Sequence, residues 1–276
     1  MIVAAPFLGE FGWEIAMWVP WLRWMRHNHY QSQDFISLCR KGHEHLYEDF
    51  SDSVRPAKHS FQIRTVDCQN AFANNHGKLS ADDYYKIAHN TLRASFKPVK
   101  KDTITPHQLQ YQWPQGQPPK VMRAQHRPYG KPYGDPYFPK EDWICIHARN
   151  CKNKQPERNW PLYKWEKLIS KMNCKRVIAI GSPNQSLAPK GTDDLRGMTI
   201  EQVVSEISKC RLGLGPSSGP LHLMNYCEVP VRWWSANKKD TFRYDAHWNP
   251  FELDNRQVAP YWDPRVDEVV KCLPGT

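Results

Sequence analysis

Residues 213–226 read GLGPSSGPLHLMNY, which sets Ser217, Ser218 and Gly219 between a short apolar run and an apolar segment carrying His222. Small residues at a helix start leave backbone N–H groups within reach of a ligand, and the helix dipole makes that end positive. Such a start binds phosphate. It is also what ordinary capping looks like, worth about 1 kcal/mol, and the stretch alone leaves both readings open. A second candidate is HARNCKNKQPERNWP (147–161). His147 and Arg149 fall where a buried strand ends, and Lys152, Lys154 and Arg158 follow. Two electropositive strand ends in one sheet would make an anion site in the crevice beyond the strands; a solvated basic loop is the alternative. The turn GEFGWE (9–14) supplies Glu10 and Glu14. The dipole favours carboxylates at a helix start, and one held there can also take a proton from a hydroxyl.

These residues need strands and helices to hold them. MIVAAPF (1–7) reads as a buried strand, and IAMWVPWLRWMRHN (15–28) has helical spacing with Pro20 as a kink or a delayed start. DFISLCR (34–40) reads as the next strand. SADDYYKIAHNTLRASF (80–96) reads as a helix capped by Ser80. Nine of the 23 prolines then fall between Pro98 and Pro139, and PYGKPYGDPYF repeats Pro-Tyr every four residues, which rules out regular helix or a central strand. Beyond this connection the predicted order is strand 142–150, helix 160–172, strand 176–182, helix 199–210, strand 211–216, helix 217–227 and strand 229–235. Thr199 and Gln202 stand in capping-box positions. A last helix spans 263–273, started by Pro264. The alternation predicts an α/β protein with parallel sheets.

Composition narrows the partners. Lys and Arg outnumber Asp and Glu by 38 to 28, a formal charge of +10, which suits nucleic acid, an anionic membrane or phosphorylated ligands. Eight cysteines include no C-x-x-C pair. With no signal-peptide pattern and no apolar run of about 18 residues, the expectation is a cytoplasmic protein with reduced thiols and no membrane span. No D-x-D triplet and no P-loop pattern occur. HNH (27–29) and GHEHL (42–46) space their histidines at i, i+2, whereas helical zinc pairs stand at i, i+4, so no metal site is expected.

In order and spacing, ICIHARN, RNWPLYKW, VIAIGS, GMTIEQVV, SSGPLHL and EVPVRWWS resemble the heptosyltransferase-like glycosyltransferases of the GT-B fold, over residues 142–235 with a shorter match at 8–23. The resemblance implies two Rossmann-like parallel-sheet domains facing across a cleft: an acceptor-binding domain at 1–140 that includes the Pro-rich connection, a nucleotide-sugar-binding domain at 141–262, and a C-terminal helix at 263–276. It implies an inverting, metal-independent sugar transfer with no cofactor, and a UDP-sugar as the first donor to consider. Glu14 stands six residues before Pro20, at the position of the family's catalytic Asp, and would be the base. Arg149, Arg158, Gly181, Ser182, Ser217, Ser218, Gly219 and His222 would form the donor site. The family's usual Asp-Thr-Gly is Ser217-Ser218-Gly219 here, and Glu replaces Asp in the turn.

For the acceptor, a hydroxymethylated base in phage DNA and a bacterial surface glycolipid at an anionic membrane both fit the basic charge; the leading expectation is the first, with 5-hydroxymethylcytosine receiving an arabinosyl or glucosyl group in the host cytoplasm, as the chain resembles phage enzymes that glycosylate their own genome. Such a base must be flipped out, and Glu10, Arg123 and Arg127 would contact the acceptor. The alternatives are a bacterial surface glycolipid, or a non-enzymatic nucleic-acid-binding protein. The segment VMRAQHRPYGKPYGDPYF (121–138) could grip the DNA backbone but reads better as a proline-stiffened linker whose tyrosines pack. WEIAMWVPWLRWMRHN could face a lipid but reads better as core. Oligomeric state is open.

Overall fold

The computed structural model describes residues 1–58, 79–92, 100–106, 108, 125–130, 139–152, 155–236, 244 and 248–274. These divide into two compact units, Met1–His126 and Arg127–Thr276. The first contains β1 (Ile2–Ala4), α1 (Val19–Asn28), β2 (Phe35–Cys39), β3 (Ser53–Pro56), α2 (Ala81–Leu92) and β4 (Thr103–Ile104). Its four strands are all parallel and run in the order β3-β2-β1-β4. β1, β2 and β4 are buried on both faces, as parallel strands commonly are, whereas the edge strand β3 is only partly covered. Ser80 caps α2 through a reciprocal pair: the Asp83 N–H reaches Ser80 Oγ at 3.2 Å, and the Ser80 N–H reaches Asp83 Oδ2 at 2.9 Å.

The expected long helix after the Glu10–Glu14 turn starts early and irregularly. A single turn, Phe11–Trp13, leads into a π-helical segment, Glu14–Trp18, and only then into α1. Pro20 has no N–H to give to the preceding turn, and the ladder widens ahead of it, so that the Val19 N–H bonds the Glu14 carbonyl five residues back. Residues 14–23 are buried throughout, which makes this tryptophan-rich stretch core and not a lipid-facing surface. Trp18 packs against Phe7 and Trp21.

The second unit holds β5 (Glu141–Ile146), β6 (Ala148–Arg149), α3 (Leu162–Ile169), β7 (Arg176–Ala179), β8 (Ser186–Leu187), β9 (Asp193–Asp194), α4 (Ile200–Ile207), β10 (Cys210–Pro216), α5 (Gly219–Tyr226), β11 (Val231–Trp234), β12 (Arg256–Ala259) and α6 (Val266–Val270). Its main sheet is parallel, in the order β12-β11-β10-β5-β7-β9. Counted within this unit, that is the 3-2-1-4-5-6 order of a doubly wound dinucleotide-binding fold, and its order reverses between β5 and β10. The first unit follows the first four strands of the same scheme. Thr199 and Gln202 form the expected capping box on α4. Trp160, Trp165 and Trp234 meet at the centre of the core with Val266 and Val269 of α6.

Two boundaries differ from those expected. The units part at 126/127 and not at 140, because the chain after Arg127 is bonded to the second sheet's layers. The Tyr129 N–H reaches the Tyr226 carbonyl at 2.9 Å, Ser208 Oγ reaches the Gly130 carbonyl at 3.0 Å, and Lys140 Nζ reaches the Ser208 carbonyl at 2.7 Å. The C-terminal helix is part of this unit's core, capped at Arg265 rather than begun at Pro264. Most of the Pro-Tyr repeat lies outside the described residues.

Gly130 is pressed against α4. Its φ is +77°, and a Cβ there would stand 2.1 Å from the Val204 carbonyl oxygen. Gly130→Ala is expected to lower stability by about 2–5 kcal/mol, from left-handed backbone cost plus overpacking. Urea denaturation checks this; a loss under about 1 kcal/mol would mean that the 127–130 segment moves aside freely. No helix among the described residues is long and apolar enough to cross a membrane. The described cysteines are all free.

Candidate functional site

The second unit's site forms where the strand order reverses. His147 follows β5 and Ser217-Ser218 follow β10, and the His147 N–H joins the two strand ends through the Leu214 carbonyl at 2.9 Å. Ser218 occupies the N-cap position of α5 but makes no side-chain cap. Its hydroxyl lies 2.8 Å from His147 Nδ1 instead. The Ser218 N–H bonds the Tyr244 hydroxyl at 3.2 Å. Ordinary capping therefore does not explain the serine.

Two guanidiniums stand by this pair. Arg149 is buried, and its Nη1 holds the Gln155 carbonyl at 3.0 Å and Asn159 Oδ1 at 2.5 Å. Arg158 lies over the Trp262 ring, 4.6 Å from its centroid. It bonds Gln155 Oε1 at 2.7 Å through Nη1, and the Ser217 carbonyl through Nη2. Burial pushes the His147 imidazole down, and the charges of Arg149 and Arg158 push it further, to about 3. His147 is thus neutral at physiological pH, chiefly through burial and further through the two guanidinium charges.

Gly181 sits where β7 ends, at φ +128°, and a Cβ there would stand 2.7 Å from Ser186 Oγ and 3.0 Å from the His147 ring. Only glycine lets the β7 end come this close to the histidine. Ser182, beside it, is exposed, and its carbonyl accepts from Ser186 Oγ at 2.7 Å. His222 is buried in α5 and stacks on Tyr244 at 4.4 Å with rings 8° apart; Trp248 and Trp233 complete the aromatic packing. His222 thus packs against Tyr244, the residue whose hydroxyl accepts from the Ser218 N–H. Arg149, Arg158, Gly181, Ser217, Ser218, Gly219 and His222 gather around one strand-end region. His147, Gln155, Asn159 and Tyr244 belong with them, although the sequence reading did not place them in the donor site.

The first unit has its own ionic cluster at the carboxyl ends of β1 and β2. Glu14 is fully buried. Arg40 Nη2 donates to its Oε2, His43 Nδ1 lies 2.9 Å from the same oxygen, and the Tyr47 hydroxyl donates to Oε1 at 2.7 Å. Burial alone would raise this carboxyl, but Arg40 and His43 outweigh it and hold it down at about 2. The carboxylate in turn raises the Tyr47 phenol, after burial as the larger cause. Glu10 is half-buried at the start of the Phe11–Trp13 turn, where its carbonyl accepts from Trp13 and Glu14. Arg127 is half-buried at the start of the second unit. Arg123, Lys131 and Lys154 lie outside the described residues. Among the described residues no group of three His, Cys, Asp or Glu could hold a metal ion.

No family model matches the sequence, and no curated protein does. Solved structures do match. An E. coli heptosyltransferase, WaaC, with ADP-2-deoxy-2-fluoro heptose, aligns over 99% of this chain and 98% of its own at 12% identity, with a TM-score of 0.54. A glycosyl transferase family 9 protein from Veillonella parvula DSM 2008 aligns over 99% and 91% at 11% identity, with a TM-score of 0.53. The E. coli ADP-heptose lps heptosyltransferase II aligns over 93% and 90% at 11% identity, with a TM-score of 0.50. At this identity the likeness is one of fold: the chain is α/β, with the Rossmann-like parallel-sheet units of the GT-B glycosyltransferases.

Proposed function

We propose that the chain is a glycosyltransferase that takes a nucleotide-sugar donor at the start of α5 and transfers the sugar, with inversion, to an acceptor hydroxyl. The observation that supports this most is Ser218: an N-cap residue whose hydroxyl is turned to His147, at a helix start that also has two guanidiniums beside it. A helix N-terminus with added positive charge suits a diphosphate and offsets the charge that develops as it leaves. No metal or cofactor enters this reading.

ADP moves ahead of UDP as the donor's nucleotide, since the structural relatives include a heptosyltransferase with an ADP-sugar analogue. The same relatives favour the glycolipid alternative over a hydroxymethylated base in phage DNA, for which they offer no support; one acts as an lps heptosyltransferase. We therefore take a heptosyltransferase-like transfer to a glycolipid as the working function.

The test is calorimetric titration with ADP-, UDP- and GDP-sugars. One of them should bind, and Arg158→Ala should weaken that donor by roughly 10–100-fold, the scale of one charge-assisted hydrogen bond. Mass spectrometry of candidate acceptors then reads the sugar gained. If no nucleotide sugar binds, the enzymatic reading fails. Strongly salt-dependent DNA binding would then favour the nucleic-acid-binding reading.

A further inference from the structure

The Arg158 guanidinium is held from three directions, all within the second unit. Its Nη1 donates to Gln155 Oε1 at 2.7 Å, its Nη2 donates to the Ser217 carbonyl, and its Cζ lies over the Trp262 ring, 4.6 Å from the centroid. Gln155 is itself in a left-handed conformation, at φ +47°, and its carbonyl is held by Arg149 Nη1 at 3.0 Å. Trp262 stands on the loop between β12 and α6, and that loop is pinned on both sides of the indole. The Tyr261 hydroxyl donates to Glu268 Oε1 at 2.5 Å, Lys164 Nζ bonds Asp263 Oδ1 at 2.6 Å, and Trp160 Nε1 donates to the Pro264 carbonyl at 2.9 Å. The indole packs on the cluster that contains Trp160, Val266 and Val269, and it is only partly buried. An arginine left in solvent samples many rotamers, and ordering it at the moment a ligand binds costs affinity. Here a fixed aromatic face does the ordering beforehand.

We propose that Trp262 is a positioning residue of the donor site: its indole face holds the Arg158 guanidinium beside the start of α5, so that the arginine meets the donor diphosphate already aimed. This rests on the glycosyltransferase reading and deepens it. A cation over an aromatic ring is attracted by the ring's quadrupole, and indole is the strongest such face. The contact uses the face of the guanidinium. Its N–H groups lie in the plane, where charge-assisted bonds to phosphate oxygens are made. Gln155 Oε1 and the Ser217 carbonyl are neutral acceptors, and a phosphate oxygen, being charged, is the stronger one. The diphosphate can therefore replace one of them while the guanidinium stays on the ring. Trp262 acts through the arginine and does not itself touch the ligand.

A double-mutant cycle read by calorimetry tests this. Trp262→Leu keeps an apolar side chain against the core but removes the aromatic face. It should weaken the nucleotide-sugar donor by about 5–30-fold, and Trp262→Phe should stay within about 3-fold of wild type. In an Arg158→Ala background, Trp262→Leu should have no further effect, whereas a tryptophan that merely supported the loop would weaken binding in both backgrounds. Donor affinity in Trp262→Leu within about 2-fold of wild type, or additive effects of the two changes, overturns the proposal. Inorganic pyrophosphate is titrated in parallel. If it binds with the same dependence on Trp262 and Arg158 while no nucleotide sugar binds, the positioning role stands and the glycosyltransferase reading falls. If neither binds the wild type, both fall. A second measurement needs no ligand and covers a Trp262→Leu chain that fails to fold. In protein labelled with 15N-arginine, the Nε–H proton of Arg158, assigned by its loss in Arg158→Ala, should be shifted upfield by the indole ring current. A proton at the ordinary arginine position in the wild type overturns the proposal.

Discussion

Lowering the pH from 6.5 to 4 is expected to cost the second unit about 3 kcal/mol of folding stability through His147 alone. The imidazole is 5% exposed, and its pKa falls from 6.5 to about 3 in the folded chain through burial and the charges of Arg149 and Arg158. Between those values the unfolded chain binds a proton that the folded chain refuses, so stability rises with pH across the window. The full contribution is present above pH 6.5 and drains away as pH falls toward 3. Urea unfolding at each pH, with amide protection in β5 and β10 assigning the transition, measures it. His147→Asn does not titrate and should flatten the dependence. Equal slopes in wild type and variant would show that His147 is not the group responsible. Donor binding, a property of the folded chain, should respond to His147 only as pH falls toward about 3, where the ring gains its proton and adds positive charge at the helix start.

The second large effect is at Glu14. Glu14→Gln should destabilise the first unit by about 3–5 kcal/mol, the range for removing one partner of a buried ion pair. It should also lower turnover by about 100-fold or more. The carboxyl is held at about 2 by Arg40 and His43 against the opposing effect of burial. Its stabilising contribution is therefore complete above about pH 4.5 and vanishes as pH falls through about 2, so the gap between wild type and variant should close in acid. Glu14→Leu combined with Arg40→Met and Tyr47→Phe should recover much of the lost stability while remaining inactive, since apolar side chains can replace a buried pair at little net cost once the Tyr47 hydroxyl that donates to Glu14 is also removed. Urea denaturation and donor turnover together decide this. A single variant within about 1 kcal/mol of wild type would mean that the cluster is far better solvated than its burial indicates.

Much of the architecture was legible because it rests on local patterns. Apolar runs marked β1, β2, β5, β7, β10 and β11, and Ser80 and Thr199 marked helix starts through contacts only three residues long. The strands that went unread are β3, β4 and the short β8 and β9, together with β12. β3 reads SVRP and β12 reads RQVA, each with charged or polar residues at a sheet edge or near it, so neither carries an apolar signature. The residues proposed for the donor side stand together at one strand-end region because most of them directly follow apolar strands. His147 was visible as a strand-end residue, but its pairing with Ser218 spans 71 positions and comes only from strand order. Tyr244 lies in a segment with no periodic pattern. On the first unit's side, the i, i+2 histidines of GHEHL carry no metal spacing and no other local signal. The use of His43 as a partner for Glu14, 29 residues earlier, depends on β1 and β2 being neighbours.

The π-helical turn at Glu14–Trp18 has a bearing on how this chain should be aligned with others. A spacing of six residues between a carboxylate and a proline fixes a direction only if each residue turns the chain by a constant angle, about 100° in an α-helix. Here the Val19 N–H skips to the Glu14 carbonyl, and the turn holds one residue more than an α-helical turn would. Matching letters at that spacing to a regular α-helix would therefore superimpose Glu14 on a residue of the same rank but of different azimuth. The extra residue acts as a phase shift that aims the carboxylate at Arg40, His43 and Tyr47. Deleting one residue between Ile15 and Trp18 would leave the motif readable and the helix apolar, yet swing the carboxylate out of its cage.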